Sequence, residues 1–265
     1  MPELVHSSRN RNALAGATVL ITRPVGSAAN FARWVRAQAG LPVLLPGLAL
    51  RAPTDPERVA VVLRAARGVR AWIFTSPAAV RFAFAAAPAL RISRRSDVFA
   101  IGAGTRAALA RRGVAAIAPE RSDSEGLLAV PGLAEMRGRR VALVGAPGGR
   151  DLIAPALRAR GAVVEAIHVY RREPPRLTRR HFDALAAADD PLITLLSSGE
   201  ALANLVAALP PPLLARLRAQ TIVVSSARLA AAARAAGFGA IVPAASAAPR
   251  DLLAGAAHAL ARHRL

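Results

Sequence analysis

Four segments of the sequence, each rich in alanine and arginine and of helical length, end in a glycine directly before a short apolar run. Glycine closes a helix in the left-handed conformation at little cost, and arginines near that end interact favourably with the helix dipole. We therefore predict a left-handed glycine at each of these joints, and two similar α/β lobes. The four glycines are Gly40, Gly113, Gly161 and Gly237.

The apolar runs of the sequence are short, partly β-branched and bounded by turn residues. Such runs are typical of strands that are buried on both faces, as in parallel sheets. The predicted strands are 18–22, 69–75, 98–101, 114–118, 140–144, 162–167, 192–196, 221–224 and 240–242.

Two proline-punctuated stretches, 46–53 and 167–175, alternate apolar and polar residues and are predicted to pair as a two-stranded ribbon. If they pair, one lobe is formed by two separate stretches of the chain and the other lobe by the stretch between them. The predicted organisation is a disordered tail at 1–15, a terminal lobe of 16–46 plus 173–265, an inserted lobe of 53–166, and connectors at 47–52 and 167–172.

The amino-acid composition excludes several kinds of catalytic and metal-binding chemistry. The absence of cysteine excludes disulfides, thiolate nucleophiles and cysteine-ligated metals. The five histidines show no metal-binding spacing near carboxylates. The longest uncharged stretch contains three consecutive prolines at 210–212, which rules it out as a spanning helix. With no apolar core of signal-peptide length near residue 1, a cytoplasmic location is expected.

The net charge of +20 raises the question of a polyanionic partner. All 36 basic residues are arginine, and they are scattered rather than clustered with aromatics. This usage, together with abundant alanine, glycine and proline, is typical of codon choice in a GC-rich genome. An anionic small-molecule substrate fits the charge as well as nucleic acid does, and no nucleic acid or membrane partner is predicted.

The predicted strand ends carry most of the polar chemistry, at 22–24, 75–77, 102–105, 145–150, 197–199 and 225–228. In open parallel sheets, ligands bind outside the carboxyl ends of the strands, where helix N-termini attract anions. Serine and threonine at these turns are equally typical of ordinary helix N-caps. Each turn by itself is therefore open to both interpretations.

Other motifs are incomplete. Gly102 and Gly104 begin a dinucleotide fingerprint, but position 107 is alanine. Tyr170, the single tyrosine, lies in the second connector before two arginines. Its ring is expected either to pack structurally or to act as a weak general acid, because a phenol is protonated at neutral pH.

An ordered set of motifs spans about residues 17–260: VLITRP, IFTSPAAV, AIGAGTRAAL, GAPGGRDLIAPALRARGA, VYRR, LLSSGEALANL and VVSSARLAAAARAAGF. In order and spacing, this set resembles the uroporphyrinogen-III synthase family. The resemblance implies an α/β fold of two Rossmann-like or flavodoxin-like parallel-sheet lobes, joined by a two-stranded ladder, with a cleft between them.

The resemblance also implies a function. The substrate would be hydroxymethylbilane, a linear octacarboxylate tetrapyrrole of haem biosynthesis. A cyclising hydro-lyase would remove its hydroxyl as water and invert ring D through a spiro intermediate to give uroporphyrinogen III. No cofactor and no metal are implied. A monomer is expected.

By position, Tyr170 matches the family's tyrosine that assists departure of the hydroxyl. Many relatives have arginine where this chain has Gly145, so Arg150 or another arginine is expected to substitute. The alternative function is a non-catalytic two-lobed binding protein for an anionic metabolite. The residues expected to face the substrate are Arg23, Thr75, Ser76, Gly102, Thr105, Arg150, Ser197, Ser198 and Arg228.

Overall fold

A computed structural model describes residues 12–148 and 152–263. The chain divides into two compact units. Unit 1 combines both ends of the chain, up to Ala49 and from Glu173 onwards. Unit 2 is the continuous stretch Leu50–Arg172.

Unit 1 contains a parallel sheet of five strands within the described residues. Its strands are β1 (Thr18–Ile21), β2 (Leu41–Leu44), β9 (Leu192–Leu196), β10 (Thr221–Val224) and β11 (Ile241–Pro243). They lie in the order β11-β10-β9-β1-β2. β1, β9 and β10 are buried along their whole length, as the sequence pattern predicts for central parallel strands.

Helices surround the sheet of unit 1: α1 (Val25–Ala37), α7 (Arg179–Ala186), α8 (Gly199–Ala208), α9 (Pro211–Ala219), α10 (Ala227–Ala235) and α11 (Pro249–His263). One core cluster joins α1 and α11 to the sheet through Phe31, Val35, Leu252 and Leu260.

Unit 2 contains a parallel sheet of four strands in the described residues, in the order β5-β4-β6-β7. The strands are β4 (Ala71–Phe74), β5 (Asp97–Ala100), β6 (Arg140–Gly145) and β7 (Val163–His168). The helices are α2 (Pro56–Ala65), α3 (Pro77–Ala86), α4 (Ala103–Ala110), α5 (Ser124–Leu128) and α6 (Ile153–Ala159).

The sheet of unit 2 buries both of its faces. Trp72 and Phe74 pack into one cluster with residues of α2, α3 and α4. Ile73 points the other way and packs with Leu127 of α5 and Leu157 of α6. This alternation follows from the two-residue side-chain period of a strand.

A short antiparallel pair lies where the chain passes from one unit to the other. Its strands are β3 (Ala49–Arg51) and β8 (Arg171–Glu173). The predicted α/β fold of two parallel-sheet lobes with a two-stranded ladder is confirmed. The lobe boundaries at 47–52 and 167–172 stay a prediction, which limited proteolysis would test.

Three of the four predicted left-handed glycines are confirmed, since Gly113, Gly161 and Gly237 have positive φ. At the first joint the left-handed residue is Ala39, with φ 61°, rather than Gly40. A Cβ at position 40 would lie 2.9 Å from side-chain atoms of Leu14 and Val35. Position 40 therefore needs glycine for close packing, and the turn falls one residue earlier.

Two further predictions differ from the structure. Residues 114–118 do not form a strand; Ile117 alone bridges Phe99 at the edge of the sheet. Pro119, which has no N–H to donate, ends this pairing. Of the predicted tail, 1–11 lie outside the described residues, but Leu14 is fully buried in the core of unit 1.

Within the described parts of the chain, every helix is too short or too polar to cross a bilayer.

Candidate functional site

Each sheet has a point at which its strand order reverses. In unit 1, β1 leads to β2 in one direction and β9 leads to β10 in the other. In unit 2, β4 leads to β5 while β6 leads to β7. Ligands of open parallel sheets bind outside the strand ends at such reversals. The turns after β1, β9, β4 and β6 are therefore the best-placed turns in the molecule.

A cavity of about 480 Å³ lies at the reversal point of unit 2. It is of the size that holds a small ligand or one part of a larger one. Most of its lining comes from β6, from α6 and from the ends of β4 and β7, and smaller parts come from the end of β5, from α5 and from β8. The described lining residues are Thr75, Ile101, Ser124, Leu143, Gly145, Ala146, Pro147, Gly148, Ile153, Ala154, Arg158, Ala166, His168, Tyr170 and Arg172.

Tyr170 lines this cavity and is held firmly in place. Only 7% of the residue is exposed, and its ring stacks on Phe82 with 5.4 Å between centroids. Its hydroxyl lies 3.2 Å from Ser76 Oγ. The Ser76 oxygen also accepts the backbone N–H of Ala79 and so caps α3. The helix cap thereby fixes the hydroxyl that orients the phenol.

Thr75 and Gly145 meet at the floor of the same cavity. Thr75 Oγ1 donates to the Val144 carbonyl at 3.2 Å. A Cβ added at Gly145 would lie 2.5 Å from Thr75 Oγ1, which is closer than real Cβ atoms come. Any larger residue at 145, arginine included, would require the Thr75 hydroxyl to move. With threonine at position 75 in this conformation, position 145 has room only for glycine.

Gly102 and Thr105, the other predicted residues of unit 2, do not line the cavity. A Cβ at Gly102 would lie 2.5 Å from Ser122 Oγ, so this glycine is needed for close packing. Thr105 is only 2% exposed, in the first turns of α4. Arg150 lies outside the described residues.

In unit 1, Arg23 is the most unusual of the predicted residues. Its guanidinium lies 4.6 Å over the Phe31 ring and donates to the Ala247 carbonyl. Its Nε is buried with no hydrogen-bond partner among the described residues. Burial lowers the pKa of Arg23 below its ordinary value, because desolvation disfavours the charged form. The turn after β1 thus holds a guanidinium that is only partly satisfied.

The remaining predicted residues of unit 1 lie at other strand ends. Ser198 Oγ accepts the Ala201 N–H and caps α8. Ser197 precedes it and is half-buried, while Arg228 is exposed in the first turn of α10. Ser76 and Ser198 are therefore helix N-caps, as one of the two interpretations of the strand-end serines predicts. Ser76 has a second hydrogen-bond partner in Tyr170.

Three basic residues of the cavity were not singled out from the sequence: Arg158, His168 and Arg172. Arg158 lies one helical turn after Ala154 on α6, and both residues line the cavity. His168 lies beside Gly145 through the register of β6 and β7. Both placements depend on the folded sheet, so no pattern in the sequence marks these residues.

The described fold defines a class of α/β proteins. Its members have two parallel-sheet units, and a short antiparallel pair of strands where the chain passes from one unit to the other. Two solved structures share it. A mutant uroporphyrinogen III synthase from the extreme thermophile Thermus thermophilus has a TM-score of 0.57 at 21% identity, covering 93% of this chain and all of that chain. A uroporphyrinogen-III synthetase from Helicobacter pylori has a TM-score of 0.61 at 14% identity, covering 94% of this chain and all of that chain.

The family model described as "Uroporphyrinogen-III synthase HemD" matches residues 29–254. The chain belongs to the uroporphyrinogen-III synthase family. It is an enzyme of tetrapyrrole biosynthesis, of the lyase class, and the resemblance drawn from the motifs is confirmed.

Proposed function

We propose that this chain cyclises hydroxymethylbilane to uroporphyrinogen III with Tyr170 as the general acid, acting in the cavity of unit 2. The observation that carries the proposal is the placement of the Tyr170 hydroxyl. The ring is buried and stacked on Phe82, the hydroxyl is oriented by Ser76, and the residue lines a cavity at the reversal point of the sheet. A general acid must be fixed in this way to meet its leaving group.

The proposed reaction requires one proton to be donated to the departing hydroxyl of the substrate. The C–O bond of the substrate's hydroxymethyl group breaks as the pyrrole nitrogen supplies electrons, and the Tyr170 proton leaves with the hydroxyl as water. The resulting methylene carbon is attacked by a carbon of ring D to give the spiro intermediate. Bond cleavage and closure in the other orientation invert ring D, and loss of a ring proton returns a proton to the phenolate. One water is lost overall, and no redox step is needed.

The substrate must also be held in one folded conformation, because free closure gives the uninverted isomer. Positioning of this kind lowers barriers by several kcal/mol. The helix N-termini at the strand ends, and the partly satisfied Arg23, suit a polycarboxylate. Of the proposed contact residues, Thr75 lines the cavity. Gly102 and Thr105 do not line it, and we propose that they contribute through the N-terminus of α4 rather than through their side chains. The other proposed contact residues are Arg23, Ser76, Arg150, Ser197, Ser198 and Arg228.

We extend the proposal to a cytoplasmic monomer that acts on this small-molecule substrate. The described lining of the cavity comes from one unit of one chain, which supports action without a second copy. A cysteine-free chain makes no use of an oxidising compartment. Sedimentation velocity at micromolar concentration tests the monomer directly.

Tyr170→Phe tests the acid. This change keeps the ring that stacks on Phe82 and removes only the hydroxyl and its bond to Ser76, so we expect the thermal midpoint to fall by no more than about 2–4 °C. The kcat for hydroxymethylbilane should fall by about 10- to 100-fold and not to zero, since positioning is retained. The products are oxidised and the porphyrin isomers separated. A fully active Tyr170→Phe enzyme removes the acid role, and a wild-type enzyme that yields only the uninverted isomer overturns the function.

A further inference from the structure

The cavity of unit 2 has a one-signed charge pattern. Its described lining includes two arginines and a histidine, and none of its described lining residues is an aspartate or glutamate. A concave site lined by cations concentrates anions and strengthens their binding as water is excluded. The lining also includes apolar residues of β6 and α6, such as Leu143 and Ile153, that suit a flat ring.

The two arginines of the cavity are engaged differently. Arg172 donates to the carbonyls of Pro147 and Gly148, and so holds the loop that follows β6. Arg158 is exposed on α6, and its side chain makes no hydrogen bond or ion pair with any residue that the structure describes. Arg172 is thus a positioning residue for the wall, and Arg158 is the guanidinium available to a ligand.

The size of the cavity decides how much of a ligand it takes. A volume of about 480 Å³ suits one substituted ring and its arms. It is far too small for a tetrapyrrole with all of its carboxylate arms. Gly145 contributes to this space, because any side chain there would meet Thr75 Oγ1.

We infer that this cavity binds a single terminal pyrrole of the substrate and that Arg158 receives one of its carboxylates. The inference rests on the function proposed above and adds the part of the substrate that enters unit 2. The ring lies among the apolar residues of β6 and α6, with its hydroxymethyl group toward Tyr170. A guanidinium binds a carboxylate through paired N–H donors, which fixes the orientation of the ring as well as its position.

The test compares Arg158→Gln with Arg64→Gln. Arg64 is an exposed arginine on α2 of the same unit and does not line the cavity, so both variants lose one positive charge. Arg158→Gln should raise the KM for hydroxymethylbilane by about tenfold and leave kcat within about threefold, since a binding contact is lost. Arg64→Gln should match the wild type. Arg158→Lys, which keeps the charge without the paired donors, should recover part of the loss.

A second measurement localises the contact. A monopyrrole with one acetate and one propionate arm should inhibit competitively, and its inhibition constant should rise in Arg158→Gln by the same factor as the KM. A merely structural role would lower the thermal midpoint and leave this inhibition constant unchanged. If Arg158→Gln and Arg64→Gln share one KM while the wild type makes uroporphyrinogen III, the inference is wrong and the function stands. If the wild type makes only the uninverted isomer, both are overturned.

Discussion

The two parallel sheets are built from the same strand–turn–helix repeat, yet their strand ends are chemically different. In both units a serine after a strand caps the next helix: Ser76 in unit 2 and Ser198 in unit 1. Unit 2 adds a phenol and a cavity at its reversal point. Unit 1 adds a half-buried guanidinium over an aromatic ring. The repeat therefore sets the scaffold, and single residues placed on it set the chemistry.

The largest expected effect separates the strand-end glycines of the two units. Gly145→Ala forces the Cβ against Thr75 Oγ1, and we expect a loss of about 1–3 kcal/mol in the free energy of unfolding and a higher KM. Gly199→Ala in unit 1 has nothing within 4 Å of the new Cβ and should be neutral. Urea unfolding and steady-state kinetics measure both.

A rescue variant checks the cause. Thr75→Ala removes the hydroxyl that Gly145→Ala would meet, so the double variant should regain most of the lost stability. If the stability losses of Gly145→Ala and Thr75→Ala simply add in the double variant, the close approach of Thr75 Oγ1 is not the reason that position 145 needs glycine.

The next effect separates the two capping serines. Ser76→Ala and Ser198→Ala each remove a cap and should each cost about 1 kcal/mol of stability. Ser76→Ala also releases the Tyr170 hydroxyl, so its kcat should fall by roughly fivefold to tenfold while that of Ser198→Ala falls less. Equal kcat values in the two variants would contradict the positioning role of Ser76.

Arg23→Met is expected to raise stability. Burial lowers the pKa of Arg23 in the folded state, so its charge opposes folding throughout the neutral range, and its buried Nε has no partner among the described residues. We expect a gain of about 1 kcal/mol, or about 2–4 °C in the thermal midpoint, with a higher KM. Arg36→Met, at an exposed site of α1, is the control and should give no gain. A lower midpoint in Arg23→Met would show that the ring contact outweighs the burial.

The smallest effect lies inside unit 1. Thr194 Oγ1 is buried without a hydrogen-bond partner among the described residues, whereas Thr22 Oγ1 donates to the Leu195 carbonyl at 2.7 Å. Thr194→Val should therefore stabilise by about 0.5–1 kcal/mol, and Thr22→Val should destabilise by about 1 kcal/mol. Calorimetry on the pair measures the difference, and equal signs would contradict the assignment.

Much of the fold could be predicted because it depends on local signals. Left-handed glycines and buried apolar runs mark most joints and strands directly. The predictions at Gly40 and at 114–118 were wrong because each depends on distant packing, by Leu14 in one case and by a single bridge to Phe99 in the other. Local patterns contain no information about such contacts.

The site could be predicted only in part. Tyr170 was found because it is the one tyrosine in the chain. Arg158 could not be told from the other scattered arginines, since its position beside the cavity depends on how α6 lies on the sheet. The floor of the cavity depends on Thr75 and Gly145, which are distant in sequence and adjacent only after β4 and β6 pair.

The interruption of unit 1 by unit 2 has a consequence for the newly made chain. Thr22 and Leu195, which bond in the finished sheet, are separated by 173 positions, so β1 leaves the ribosome long before β9 exists. Unit 2 is continuous and is synthesised completely within that interval. Once unit 2 has folded and β3 has paired with β8 at its ends, the flexible connection between β1 and β9 is much shorter than the full intervening sequence. We therefore expect folded unit 2 to lower the entropic cost of pairing β1 with β9.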